Sequence, residues 1–255
     1  MKTNLRIGAL ISGGGTNLQA VIDGCENHSI SGRIVFVGSD NPDAKGLERA
    51  RRHGIPSFVV DYGDILRRYR QDPRAQPLPP DFDAEAIQAR CRLLPGGTDS
   101  DRIRQFLETR VMAEAALLAA MQAYPFDLLI LAGFMRNLTP YFIDRVNHDP
   151  ALPRIMNIHP ALLPSFPGVD GYGDTYHYGC KVGGCTVHFI DYGEDSGPII
   201  GQRTLAIEPG DSLETFKKKG LAEEWKLYPH CIELYAQGKL KVVTGEKRRI
   251  VAIAP

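Results

Sequence analysis

The chain has no surplus charge of either sign, no paired cysteines and no long apolar run. Lys+Arg and Asp+Glu each number 30 in its 255 residues. A zero balance argues against a general nucleic-acid binder, which is usually basic. It leaves room for one small phosphate site, because a few backbone N–H groups suffice to hold one. The cysteines, Cys25, Cys91, Cys180, Cys185 and Cys231, are odd in number, scattered and without a C-x-x-C pair. A disulfide framework or a zinc site is therefore not expected, and a reducing cytoplasm is. No stretch approaches the length needed to span a membrane. The apolar run after Met1 is broken by glycine too soon for a signal peptide. There is no internal repeat. With 43% hydrophobic and 24% charged residues, the composition is that of an ordinary globular protein. The length suits one large α/β domain or two small ones.

Organisation follows the apolar runs. Residues 5–11 read as a strand that stops at Ser12-Gly13-Gly14-Gly15, and Thr16-Asn17 opens a helical pattern through Leu18, Val21 and Ile22. Residues 33–38 and 57–60 read as further strands, with a short helix over 44–53 between them. Strands alternating with helices predict a mostly parallel, Rossmann-like sheet with helices on both faces. Regularity lapses over residues 62–100, which are rich in proline and glycine, although 84–91 has helical character. This stretch is too short and too poor in apolar periodicity for a core of its own. It is expected to be a decorating insertion within a single domain spanning 1–255. A long helix comes next over 99–123, capped by Asp99 or Ser100. Then come a buried strand (127–132), a helix (140–146), and strands over 155–158, 184–190 and 199–205. A last helix carries Leu221, Trp225, Tyr228, Ile232 and Tyr235 on one stripe and is expected to be interrupted at Pro229. Residues 239–254 read as a hairpin turning near Gly245.

Two places carry chemistry. The strand-to-helix turn Ser12–Asn17 offers glycines that let backbone approach a ligand, together with the unpaired N–H groups and positive end of a helix. It is neither G-x-G-x-x-G nor a P-loop, since no lysine comes after the last glycine, and a plain tight turn is an equal reading. The second place is Asn157-Ile158-His159-Pro160. Residues i and i+2 of an extended segment point to one side, so an amide and an imidazole face one point. Pro160 and Pro164 stiffen the chain beyond them, and Asp195 waits downstream in a glycine-rich loop. Asn, His and a carboxylate suit attack on a carbonyl without a metal, although Asn-x-His at a strand end is also a structural pattern. His188, after an apolar run, reads as a satisfied structural histidine. Asp191 reads as a turn cap.

Four blocks in order, LISGGGTNLQ (10–19), AGFMR (132–136), NIHPALLPSFPG (157–168) and GCTVHFIDYGEDSGPII (184–200), make the chain similar to the folate-dependent phosphoribosylglycinamide formyltransferase family of purine synthesis. The similarity covers residues 5–60 and 106–240. It implies transfer of a formyl group from 10-formyltetrahydrofolate, a co-substrate, to the amine of 5′-phosphoribosylglycinamide. It implies catalytic roles for Asn157, His159 and Asp195. Gly15, Thr16 and Asn17 would hold the substrate's 5′-phosphate, and Gly168 and Glu224 would lie on the same substrate. Arg110, Met135, Arg136, Asn137, Leu138 and Asn157 would form the folate side, opposite residues 190–195. Arg110 and Glu224 can equally be read as exposed helix residues. The chain departs from the family at residues 170–181, where an aromatic-rich loop replaces the usual His-rich helical segment, and again in the 62–100 insertion.

Competing readings are a 10-formyltetrahydrofolate hydrolase, an N-formyltransferase for another amine such as an amino sugar nucleotide or an aminoacyl-tRNA, and a non-catalytic folate- or nucleotide-binding module. The hydrolase usually carries an N-terminal regulatory domain and the tRNA enzyme a C-terminal one. The sheet starting at Leu5 and the closing hairpin argue against both. Expected partners are small molecules, with no nucleic acid and no membrane, for a cytoplasmic monomer or homodimer.

Overall fold

The first strands set the frame. β1 (Leu5–Ile11) and β2 (Gly32–Ser39) flank helix α1 (Thr16–Glu26), and α2 (Gly46–Arg52) leads to the short β3 (Ser57–Val59). The structure is a computed structural model and describes residues 4–73 and 77–255. The chain continues through α3 (Tyr62–Gln71), α4 (Ala84–Arg90) and the long α5 (Ser100–Met121) to β4 (Leu128–Leu131), α6 (Pro140–Val146) and β5 (Ile155–His159). Helix α7 (Gly171–His177), β6 (Val182–Phe189), β7 (Ile199–Ala206) and α8 (Leu213–Ala236) complete the body. A hairpin of β8 (Leu240–Thr244) and β9 (Arg249–Ile253) forms a separate two-stranded sheet.

The main sheet has seven strands in the order β3-β2-β1-β4-β5-β6-β7. The pairs from β3 to β5 are parallel, and β6 and β7 are antiparallel to their neighbours. Strand β4 is fully buried and reads as an unbroken apolar run, as a strand covered on both faces should. One face is covered by α1, α2 and α8 through Leu18, Val21, Ala50, Leu227 and Tyr228. The other is covered by α5 and α6 through Ala113, Leu117, Phe142 and Ile143. The chain winds outward from β1 to β3, returns, and winds the other way from β4. This puts a topological switch point between the carboxyl ends of β1 and β4, where open α/β sheets bind ligands. Tyr228 stitches that end shut from below, its hydroxyl lying 3.1 Å from the Leu131 carbonyl and 2.9 Å from that of Met156. No helix among the described residues is long and apolar enough to cross a membrane.

Four expectations are corrected. Residues 62–71 form α3, not irregular chain, because Asp61 caps it by accepting from the Asp64 N–H at 2.9 Å and Tyr62 and Tyr69 are buried beneath it. Residues 171–177 form α7, capped by Asp170. Helix α8 passes through Pro229 unbroken. An interior proline costs about 3 kcal/mol, and burial of Leu227, Tyr228, Cys231 and Ile232 on both sides of it offsets that cost. Trp225 stands off the buried stripe at 42% exposure. Of the two caps proposed for α5, Asp99 takes the part, accepting from the N–H groups of Asp101 and Arg102.

Candidate active site

The glycine turn between β1 and α1 has all its carbonyls occupied from behind. Asn41 Nδ2 donates to the Ser12 carbonyl (3.2 Å), Gly46 N–H to that of Gly13 (2.9 Å), Arg49 Nε to that of Gly14 (2.9 Å) and Gln19 N–H to that of Gly15 (3.0 Å). The N–H groups of Gly13 through Asn17 meet no protein acceptor among the described residues. Dipoles pinned on one side and open on the other make a concave anion cradle at a helix N-terminus. Gly15 is required here. Its φ is 67°, and a Cβ would lie 2.8 Å from the Gly46 Cα.

Asn17 reaches sideways. Its Nδ2 donates to Glu224 Oε2 at 2.6 Å, and the Tyr172 hydroxyl donates to Glu224 Oε1 at 2.7 Å. Burial raises the Glu224 pKa above its ordinary value, and these two bonds oppose the rise. Glu224 is thus neither exposed nor incidental to its helix, since α8 turns it inward at 4% exposure. Tyr172 comes from α7, the segment expected as a divergent loop. Only the richness of that loop in aromatics hinted at its part.

On β5, alternation does what the sequence implied. Met156 and Ile158 enter the core under α8, so Asn157 and His159 face the other side together. Antiparallel β6 sets His188 directly opposite Asn157. His188 Nδ1 lies 3.0 Å from the Phe189 carbonyl, which can only accept, so Nδ1 carries the proton. Its Nε2 lies 3.3 Å from Asn157 Nδ2. The contact fixes which way the Asn157 amide faces and leaves its second N–H unused. His188 is structural, as expected, but what it orders is Asn157.

His159 is 3% exposed. Its Nε2 donates to the Phe166 carbonyl at 2.8 Å, and its Nδ1 stands 3.2 Å from Asp195 Oδ2. Burial lowers the His159 pKa below its ordinary 6.5 and outweighs the opposing pull of Asp195. Asp195 sits at φ 47°, an uncommon left-handed conformation for an aspartate. It is held there by the Gly168 N–H, which donates to Oδ2 at 2.9 Å, and its Oδ1 lies 3.6 Å from His188 Nε2. Burial alone would raise the Asp195 pKa, but the two imidazoles and the Gly168 N–H together hold it below its ordinary value. The loop closes this tightly because residue 197 is glycine. A Cβ there would fall 1.7 Å from the Phe189 carbonyl oxygen. Asp191 accepts from Gly193 N–H and the Ser196 hydroxyl, so it caps the turn and leaves the imidazole to Asp195.

The third wall lies beyond β4. Residues 133–139 form a turn whose Met135 N–H donates to the Ser12 hydroxyl at 2.8 Å, tying it to the glycine loop. Arg136 does not point freely into the space. Its Nε donates to buried Asp40 at 2.5 Å and its guanidinium lies over the Tyr62 ring. What the segment presents is backbone and the side chains of Met135, Asn137 and Leu138. Arg110 lies against Tyr62 and Phe106, with its pKa lowered by burial.

These parts meet in one cleft of about 470 Å³. Gly15, Thr16, Asn17, Gly168 and Glu224 line it, as do Arg110, Met135, Arg136, Asn137 and Leu138, and Asn157, His159 and Asp195 stand among them. It also takes Leu93, Tyr172 and Lys217, which the sequence did not single out. A separate groove of about 530 Å³ between α1 and α8 contains none of the Asn157, His159 and Asp195 cluster. Among the described residues no group of three His, Cys, Asp or Glu side chains is disposed to hold a metal ion.

Residues 5–232 match the family model described as formyl transferase. The chain is 31% identical to the phosphoribosylglycinamide formyltransferase of Escherichia coli over 93% of its own length and 90% of that protein's. It is 29% identical to the trifunctional purine biosynthetic protein adenosine-3 of Homo sapiens over 98% of the chain, but spans only 20% of that longer protein. Among solved structures, glycinamide ribonucleotide transformylase 1 from Symbiobacterium toebii superposes with a TM-score of 0.73 at 38% identity, over 99% of this chain and 95% of that one.

Proposed function

Because the chain belongs to the formyl transferase family, and because Asn157, His159 and Asp195 meet between an anion cradle and a slot lined by backbone, we propose that it moves the formyl group of 10-formyltetrahydrofolate to the amine of 5′-phosphoribosylglycinamide in purine biosynthesis. That meeting of three side chains is the observation that carries the reading. The setting is a cytoplasmic enzyme acting on small molecules, a single domain with an insertion near 62–100.

The open N–H groups from Gly13 to Asn17 suit the 5′-phosphate, and Glu224, fixed by Asn17 and Tyr172, suits the adjoining ribose and amine. The flat heterocycle fits the slot between residues 135–138 and 190–195, where backbone polar groups can read its edge, and Arg110 lines the same cleft. Folate supplies the formyl carbon, and the chain's own groups do the rest. As the amine nitrogen bonds to that carbon, its carbonyl oxygen gains negative charge, and the unused N–H of Asn157 can steady it. The attacking nitrogen must lose a proton and the departing nitrogen must gain one. His159 is kept neutral by burial and its Nε2 is committed to Phe166, so it accepts the proton at Nδ1. The resulting imidazolium is stabilised by Asp195. The proton then passes to the leaving nitrogen, so no net proton is consumed.

Release of tetrahydrofolate is measured with phosphoribosylglycinamide, with an amino sugar nucleotide, and with water as the only acceptor. Turnover that depends on phosphoribosylglycinamide supports the reading. Equal turnover without any amine would make the protein a hydrolase, and preference for the sugar nucleotide would reassign the acceptor.

A further inference from the structure

The 62–100 insertion was expected to be decoration, yet it reaches the cleft. We propose that its second half is the outer wall of the folate slot, with Leu93 a specificity-determining contact for the co-substrate's aromatic portion and Arg90 a positioning residue for the loop that carries Asp195. The proposal rests on the formyl-transfer reading above.

Three contacts carry it. First, α4 is seated on the body, since Ile87 packs with Leu107 and Val111 of α5 and Tyr141 of α6. Asp81, just before α4, accepts from the Tyr141 hydroxyl and pairs with Arg145. Second, where α4 ends, the chain grips the 190–195 loop. Arg92 N–H donates to the Tyr192 carbonyl at 2.9 Å, and Arg92 bridges to Gly193 as a short parallel ladder. Arg90 Nη1 donates to Asp144 Oδ2 at 2.5 Å, the Tyr192 hydroxyl donates to Asp144 Oδ1 at 2.5 Å, and the Arg90 guanidinium lies 5.6 Å from the Tyr192 ring centroid. The Tyr192 backbone is thus held by the insertion, and its side chain shares Asp144 of α6 with Arg90, three residues before Asp195. Third, the residue after that ladder, Leu93, lines the same cleft as Arg110, Ile190 and Glu194.

A half-buried leucine at the edge of a polar-rimmed slot has one clear use, to cover an apolar ligand face. Arg110, in the lining of the same cleft, supplies a positive group for the acidic end of such a ligand. A decorating insertion would have no reason to hydrogen-bond the catalytic loop on one side and lend a side chain to the cleft on the other.

The test uses Leu93→Ser, Leu93→Met and Arg90→Gln in the full chain. Calorimetry tracks binding of 5,10-dideazatetrahydrofolate, a folate analogue without the N10 that carries the formyl group, and steady-state kinetics are run with both substrates. Leu93→Ser should weaken the analogue and raise KM for 10-formyltetrahydrofolate by about tenfold, the scale of losing most of one leucine's apolar burial. KM for phosphoribosylglycinamide should not move, and Leu93→Met should restore most of the loss. Arg90→Gln should lower kcat and analogue affinity together while sparing the phosphoribosyl substrate. Wild-type binding with unaltered affinity in Leu93→Ser would overturn the role of Leu93, as would equal losses for both substrates. A wild-type protein that binds no analogue would overturn the folate reading itself.

Discussion

Glu114 offers a prediction whose size can be worked from the structure. It lies on α5 at 0% exposure and accepts two bonds from Thr139, from the N–H at 2.7 Å and from the hydroxyl at 2.5 Å. Thr139 is the cap residue of α6 and ends the 133–139 turn that lines the slot, so the pair anchors that wall. Burial pushes the Glu114 pKa from its ordinary 4.5 up to about 7, against the pull of the Thr139 bonds and of Arg110. Its folded-state pKa is above its unfolded one. Its contribution is therefore fully present below about pH 4.5 and is lost as pH rises through about 7. At about 1.4 kcal/mol for each tenfold change in proton affinity, the loss is about 3 kcal/mol. For a chain of this length that corresponds to about 6 °C in Tm. Glu114→Gln keeps an oxygen for the Thr139 N–H and an amide for its hydroxyl but cannot ionise. Thermal melts of both proteins from pH 5 to pH 8.5 should show the variant gaining on the wild type by about 6 °C across that range. Two melting curves that run parallel with pH would mean that Glu114 does not titrate in this window and that burial does not lift its pKa.

Three substitutions probe the cleft. Asn157→Ala should cut kcat by roughly 10²–10³, the scale of losing one oxyanion donor, with little change in folate analogue binding by calorimetry; near-normal turnover would remove Asn157 from the step. Arg49→Ala frees the Gly14 carbonyl behind the anion cradle and should raise KM for phosphoribosylglycinamide by about tenfold, the worth of one charged hydrogen bond. An equal rise for the formyl donor would point to wider damage. Tyr172→Phe removes one of the two bonds that oppose the raised pKa of Glu224, so any limb of the phosphoribosylglycinamide KM–pH profile that reports Glu224 should move to higher pH; a profile identical to wild type would make Tyr172 mere packing.

Local pattern made part of this site legible. Period-two alternation on β5 is enough to place Asn157 and His159 on one side, and the glycines before α1 announce a turn with open N–H groups. What stayed hidden depends on partners far apart in the chain. Nothing near Asn17 says that its amide meets Glu224 on the last long helix, and nothing near Arg92 says that its N–H pairs with Tyr192. The prolines and glycines of 62–100 hid α3 and left α4 only a helical character, because both helices are short and take their stability from side chains buried against α5 and α6. The net effect on His159 was likewise out of reach. Sequence supplied the carboxylate that raises its pKa but not the burial that wins.

The proposed formyl transfer rests on His159 and Asp195 acting as one proton-handling unit. The decisive measurement is a double-mutant cycle of His159→Ala and Asp195→Asn, with rates read as tetrahydrofolate released in the presence of phosphoribosylglycinamide and with pH–rate profiles for wild type and Asp195→Asn. In the wild type, activity should fall on the acid side with a pKa below 6.5, as His159 takes up its proton. In Asp195→Asn that limb should move to still lower pH, because the imidazolium loses its attractive partner. The double variant should be far less impaired than the product of the two single losses, as for residues that act together. Strictly multiplicative losses with an unmoved acid limb would contradict the paired role and leave Asp195 a structural residue of its loop.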